Sequence, residues 1–170
     1  MMTDSDREID SAGLAWSDAL LVGDAAMDHT HREFVELLAG VEEALVLEHE
    51  ELQDRLAGFV AHTEAHFAQE ERWMQSLGFA AENCHAFQHG HVLAVLRAVQ
   101  RTLRDEGDTQ TVRRLVDELG PWFVAHAQSM DAALAQTMAE RGFDPETGVL
   151  LHPPAADATP ITGCGGASCG

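Results

Sequence analysis

Apolar side chains recur at intervals of three and four along most of this chain, and the alternating pattern of a half-buried strand is scarce. Phe34, Leu38, Val41 and Leu45 predict a first helix over 28–48, and stepping back three residues from Phe34 puts His31 on the same face. A second helix, over 51–77, carries Leu52, Leu56, Phe59, Thr63, His66, Glu70, Trp73 and Leu77 at that spacing, with Gly78 as its stop. The third, over 81–104, opens near Asn83 as a possible N-cap and continues through His85, His89, Val92, Leu96, Val99 and Leu103. After the turn "RDEGDTQ" a fourth helical region begins at Val112, Leu115, Val116 and Leu119 and passes Trp122, Phe123, His126 and Met130 to about Arg141. Pro121 either kinks that region or starts a helix at the first-turn position proline tolerates.

Four amphipathic segments of similar length with short connections predict an all-α fold, an antiparallel up-down-up-down four-helix bundle. Such a core should exclude ionisable groups, because an unpaired buried charge is costly unless it is paired or holds a metal. Here each of the four helices contributes at least one. Residues four apart are separated by about 400° of rotation and about 6 Å of rise, so His66 with Glu70, and His85 with His89, each project toward a common point. His126 and Asp131 are five apart, about 140° around a regular helix, so the pair is not expected to point the same way. An aspartate in that position suits a second ion, or a bridge between two, better than sharing one ion with His126. Imidazole and carboxylate without thiolate suit iron, zinc, copper or manganese, and donor chemistry alone does not choose among them.

Composition narrows the function. The chain has 170 residues, 45% of them hydrophobic, enough for one core and hence one domain. Its formal net charge of −19, with only ten lysines and arginines, argues against a nucleic-acid partner. No apolar run approaches the roughly 20 residues that cross a bilayer, and "MMTDSDREIDSAG" is acidic where a secretory leader would be basic and then apolar, so a soluble, cytoplasmic protein is expected. Cys84, Cys164 and Cys169 are too few and too unevenly placed for a disulfide framework, which fits a reducing compartment.

The segments "MDHTHREF", "HFAQEERWM", "HAFQHGHVL" and "WFVAHAQSMD" resemble, in order, the successive signatures of the hemerythrin family, most closely its bacterial branch. The approach "LAWSDALLVGDAAMD" is similar to the family's N-terminal arm, so the resemblance spans residues 14–143. It implies a non-haem di-iron centre, two iron ions joined by an oxo or hydroxo bridge, with His31, His66, Glu70, His85, His89, His126 and Asp131 as ligands. One iron would take His85, His89 and His126, the other His31 and His66, with Glu70 and Asp131 bridging. The second iron is then one ligand short, and the resemblance implies that dioxygen takes that position reversibly and that small anions such as azide do so on the oxidised form.

Three function classes follow: dioxygen carriage, storage, delivery or sensing; a di-iron oxidase or peroxidase; and iron storage. Glutamate-rich sites suit ferroxidase chemistry, whereas five histidines with two carboxylates favour retained iron and reversible binding, so a dioxygen-binding protein rather than an enzyme is expected. His62 faces inward one turn before His66 and is expected to support the site or the bundle end rather than ligate; His29, His49, His91 and His152 read as surface groups. Trp16, Trp73, Trp122, Phe34 and Phe67 read as core. Residues 1–13 are expected to be flexible, and the Gly/Pro/Ala-rich stretch 144–170 disordered or loosely attached. Cys84 reads as a small helix-start residue; Cys164 and Cys169 could form a reversible disulfide, ligate a metal with groups from elsewhere or be inert, and inertness or nonspecific thiol chemistry is the favoured reading.

Overall fold

The structure is a computed structural model that describes residues 13–163; the expected flexible N-terminus up to residue 12, and Cys164 and Cys169, lie outside the described residues. Four helical rods form the bundle: α1 (Ala25–Ala44), α2 (His49–Ser76), α3 (Cys84–Glu106), and a fourth rod made of α4 (Thr109–His126), a π-helical turn (Ala127–Asp131) and α5 (Ala132–Arg141). α1 packs on α2, α2 on α3 and α3 on α4, and α1 meets α4 to close the ring. The all-α bundle is thus the one that the spacing predicts.

The helix starts are set by local chemistry. Asp24 caps α1 by accepting from the Met27 amide at 2.9 Å, Asn83 caps α3 through the Ala86 amide at 3.0 Å, and Asp108 caps α4 through the Gln110 amide at 2.9 Å. Gly107 ends α3 in the left-handed region at φ 69°, which lets the chain reverse within Gly107 and Asp108. α1 is shifted from the expected 28–48: it begins at Ala25 and ends at Ala44, and Leu45 is half-buried in the turn rather than the last residue of the stripe. Pro121 lies inside α4, on its exposed side, so it does not start the helix; it removes one hydrogen bond from the interior of the rod.

The core is split in two. A large apolar cluster is built around Phe34, Leu38, Leu56, Phe59, Leu96, Leu103 and Phe123, with Leu14 and Trp16 of the N-terminal arm packed on it. A smaller one holds Met27, Trp73, Met74, Leu77, Leu134, Met138 and Phe143. Along each rod the expected polar positions fall between the two: His31 between Met27 and Phe34, Glu70 between Phe67 and Trp73, Asp131 between Ala127 and Leu134. Trp73 is buried as expected, whereas Trp16 and Trp122 are partly buried. No described helix is long and apolar enough to cross a membrane.

As far as Gly163, the C-terminal stretch turns back along the bundle. An Asp144–Gly148 turn sends the chain back to pair Phe143 with Leu150, and the Arg141 guanidinium donates to the Leu77 carbonyl. Ile161 then forms a parallel bridge with Phe79, its amide 3.1 Å from Gly78 O and its carbonyl 2.8 Å from Ala80 N. Backbone hydrogen bonds hold this segment, and they leave no periodic signature in a Gly- and Pro-rich sequence.

Leu56 is fully buried in the larger cluster, away from the polar layer. Leu56→Ala is expected to lower stability by about 2–5 kcal/mol, read as the denaturant midpoint of the metal-free protein, without loss of helical circular dichroism before unfolding.

Candidate metal centre

Seven ionisable side chains meet between the two apolar clusters: His31 from α1, His66 and Glu70 from α2, His85 and His89 from α3, and His126 and Asp131 from the fourth rod, all of them buried. Helical spacing accounts for the α2 and α3 pairs. It does not account for His126 and Asp131, whose side chains converge with Nε2 and Oδ1 3.2 Å apart. The π-helical turn over Ala127–Asp131 is the reason: its wider i to i+5 hydrogen bonding brings residues five apart onto one face, correcting the expectation from a regular helix. The Ser129 hydroxyl donates to the Ala125 carbonyl at 2.6 Å within this altered stretch.

Each carboxylate divides its two oxygens between two sets of imidazoles. Glu70 Oε1 lies 2.7 Å from His66 Nε2 and 3.8 Å from His31 Nε2, and Asp131 Oδ2 lies 3.1 Å from His31 Nε2. The other oxygens face the second set. Glu70 Oε2 is 3.3 Å from both His85 and His89 Nε2, while Asp131 Oδ1 is 3.0 Å from His85 and 3.2 Å from His126. The donor atoms accordingly fall into two groups, Glu70 with His85, His89, His126 and Asp131, and Glu70 with His31 and His66, each group spanning no more than 4.8 Å.

These atoms are close but poorly aligned for one another. The Nε2 atoms of His31 and His85, Oε2 of Glu70 and both Asp131 oxygens have no hydrogen-bond partner among the described residues, although all are buried. His89 and His126 bring their Nε2 atoms within 3.2 Å, so two neighbouring lone pairs would face each other if both rings were neutral with Nδ1 protonated. Orphaned buried donors and acceptors aimed at common points are what a metal centre leaves when the ion is removed, and imidazole with carboxylate is a fitting donor set. The arrangement can hold metal.

Residues around the donors orient them. Gln88 Oε1 lies 3.1 Å from His126 Nδ1, and Glu71 Oε1 lies 3.5 Å from His89 Nδ1, so two of the second set have a polar group at the outer ring nitrogen. Sequence reading missed both. Their signal is only that each sits beside a site residue, Gln88 before His89 and Glu71 after Glu70. The Nδ1 atoms of His31, His66 and His89 have no hydrogen-bond partner among the described residues, and on the side of His31 and His66 the rings meet aromatic walls. Phe123 lies edge-on to His31 at 5.3 Å and Phe34 edge-on to His66 at 6.4 Å. Phe67 stacks on His89 at 3.8 Å and Trp122 on His126 at 4.6 Å. His62 is half-buried, its Nε2 3.3 Å from the Thr30 carbonyl oxygen, at the edge of this group; His29, His49, His91 and His152 are exposed.

Comparison with known proteins accords with this geometry. The family model described as "Hemerythrin HHE cation binding domain" matches residues 22–137. The chain belongs to the hemerythrin family. Among its relatives, a bacteriohemerythrin of Ralstonia nicotianae is 42% identical over 131 residues, covering 77% of this chain and 93% of that protein. Bacteriohemerythrins of Aquifex aeolicus and Pseudomonas aeruginosa are each 27% identical, over 70% and 82% of this chain and 92% and 94% of their own lengths. The matched residues of this hemerythrin-family chain contain every side chain of the buried polar layer.

Without metal the layer neutralises itself. Burial alone would push His31 and His85 down, but the neighbouring Asp131 and Glu70 outweigh it and raise both to about 9. Burial likewise opposes ionisation of Glu70, yet the charge of His66 and the close approach of His31 and His85 hold it well below the usual carboxylate range. Asp131 is also held low: burial and the Glu70 charge oppose ionisation, but His126 and His31 prevail. His126 is lowered, chiefly by burial and against the pull of Asp131.

For His31 and His85 a folded value near 9 lies above the unfolded value of about 6.5, so their stabilising contribution is complete below about pH 6.5 and lost as pH rises through 9. His126 shifts the other way, and its contribution is constant above about 6.5. The metal-free protein is therefore expected to lose thermal stability between about pH 6.5 and 9.5, and a divalent metal is expected to flatten that slope by replacing the protons. Calorimetry with and without metal checks it; a metal-free midpoint that is level or rises over this window contradicts the assignment.

Proposed function

We propose that this chain binds dioxygen reversibly, for carriage, storage or delivery, at a di-iron centre held by His31, His66, Glu70, His85, His89, His126 and Asp131. The observation that carries the proposal is the division of carboxylate oxygens: Glu70 turns Oε1 to His31 and His66 and Oε2 to His85 and His89, while Asp131 turns Oδ2 to His31 and Oδ1 to His85 and His126. That division supports a bridging role for both. His85, His89 and His126 would hold one iron, and His31 and His66 the other, which is left with one protein donor fewer. When bound, the iron pair supplies the electrons and the vacant position that reversible dioxygen binding requires.

The protein's part follows from what surrounds the donors. Glu70 and Asp131 are held ionised in a fully buried layer, so they are ready as metal donors without a proton to lose at neutral pH. Phe34 and Phe123 put apolar rings against His66 and His31, which disfavours water and charged molecules on the side with fewer donors and suits a small apolar gas. The Gln88 side chain, hydrogen-bonded at His126 Nδ1, orients that ring, and Glu71 puts a carboxylate 3.5 Å from His89 Nδ1. Five imidazoles, rather than the glutamate-rich set of ferroxidases, support retention of iron and reversible binding over turnover or storage.

The isolated protein is expected to hold about two irons per chain, and Glu70→Ala to lose at least one of them, because its two oxygens serve both sets. Metal analysis decides it; full iron content in the variant would show that Glu70 does not bridge.

Anaerobically reduced protein mixed with dioxygen is expected to develop a visible absorption band without added substrate and to lose it on purging with argon. Azide added to the oxidised protein should give a band of its own. Immediate irreversible oxidation with no oxygenated species in stopped-flow spectra would instead place the chain with the oxidases or peroxidases.

A further inference from the structure

The imidazoles of the metal layer are not equally enclosed. Aromatic side chains lie against four of them: Phe123 on His31, Phe34 on His66, Phe67 on His89 and Trp122 on His126. Among the described residues no phenylalanine or tryptophan ring lies against His85, whose ring neighbours are His89 at 4.4 Å and His126 at 4.7 Å. His85 is also the second residue of α3, so its ring sits at a helix end rather than in the middle of a rod. On its outer side lies a cavity of about 240 Å³ between the start of α3 and α5, walled by Ala133, Thr137 and Glu140 on one side and Ile161 on another. Of the seven donors, His85 alone lines it. A water takes up about 30 Å³ in the liquid, so a cation carrying part of its hydration shell fits this space.

The inner side of the same ring addresses both carboxylates. His85 Nε2 lies 3.0 Å from Asp131 Oδ1 and 3.3 Å from Glu70 Oε2, and it has no hydrogen-bond partner among the described residues although His85 is only 2% exposed. Along the bundle axis the layer is closed by the two apolar clusters, at Phe34, Phe67 and Phe123 on one side and Met27, Trp73 and Leu134 on the other. A cation crossing either cluster would shed its water with nothing to replace it. At the cavity the exposed Glu140, its Oε1 accepting from Gln136 Nε2 at 2.7 Å, supplies a negative charge that draws cations in. Rotation of His85 between staggered side-chain rotamers then moves a ring nitrogen between the layer and the space outside it.

We propose that divalent cations enter and leave the layer through this cavity, with His85 as the swinging donor that meets them first and passes them to Glu70 Oε2 and Asp131 Oδ1. Water ligands leave by the cavity as carboxylate oxygens replace them, and the ion keeps its charge throughout. His85 thereby has a part in loading that the other four imidazoles, each backed by an aromatic ring, do not share. The route rests on the proposed metal centre, but neither the identity of the resident metal nor dioxygen binding bears on it.

The test uses the metal-free full chain with cobalt(II) as the probe, its uptake followed by visible absorption in stopped flow and its release by transfer to excess chelator. Ala133→Leu narrows the cavity. Ile161→Ala widens it and spares the bridge to Phe79, which backbone groups make. Ala133→Leu is expected to slow uptake and release at least tenfold each, and Ile161→Ala to speed both. Cobalt stoichiometry, and the affinity given by the ratio of the two rates, should stay within twofold in each variant, whereas a purely structural role would move the affinity. Glu140→Gln is expected to slow uptake severalfold at low ionic strength and to lose that effect at high salt. Without any metal, acylation by diethyl pyrocarbonate mapped by mass spectrometry should reach His85 before His31, His66, His89 and His126, and Ile161→Ala should quicken it. Should Ala133→Leu fail to fold, Ile161→Ala and the labelling order decide. Full cobalt binding with rates unmoved by the cavity variants, or His85 labelled no faster than the other four, overturns the route and leaves the metal centre standing; a wild-type chain that takes up no cobalt overturns both.

Discussion

Five imidazoles and two carboxylates share one water-poor layer, and the rest of the bundle is arranged around making that tolerable. An isolated ion in such a place is strongly disfavoured. Here each carboxylate oxygen is within 3.3 Å of at least one ring nitrogen, so opposite charges meet wherever the proton equilibrium puts them. Their mutual attraction stands in for hydration. It also makes the layer responsive to any cation that outcompetes protons, since the atoms that hold one another are the atoms a metal needs.

The split of the core follows from the same layer. Aliphatic and aromatic side chains cannot pass continuously through a plane of ions, so the larger cluster ends at Phe34, Phe67 and Phe123, and the smaller begins at Met27, Trp73 and Leu134. Aromatic rings form much of the boundary. Phe67 stacked flat on His89 and Trp122 stacked on His126 offer polarisable faces to imidazole edges and planes, and they fix those rings by contact as well as by hydrogen bonds.

What was legible in the sequence had a period. The helices, the caps at Asn83 and the buried placing of His31, His66, Glu70, His85 and His89 all follow from residues three and four apart, because a regular helix turns by a fixed angle per residue. Convergence of His126 with Asp131 was hidden because it depends on a local departure from that angle, visible in the sequence only as a five-residue gap between polar positions. Gln88 and Glu71 were hidden because polar residues beside a site look like any solvated pair. The segment up to Gly163 was hidden because its attachment is made by backbone groups, which any residue possesses.

The π-helical turn has a consequence for how this chain can change. The fourth rod contains one residue more between His126 and Asp131 than a regular helix would use to return to the same face. Deleting a single residue there would restore a regular helix and leave the second half facing as it does now, because the wider turn already absorbs the extra residue. The same deletion in the regular stretch just after the turn would instead carry every later residue round by about 100°, swinging Met138, now buried in the smaller cluster, toward solvent. The packing on either side thus tolerates the loss of a residue in this turn better than a loss in the regular stretch beyond it. The rod can change its length by one residue here and keep its faces.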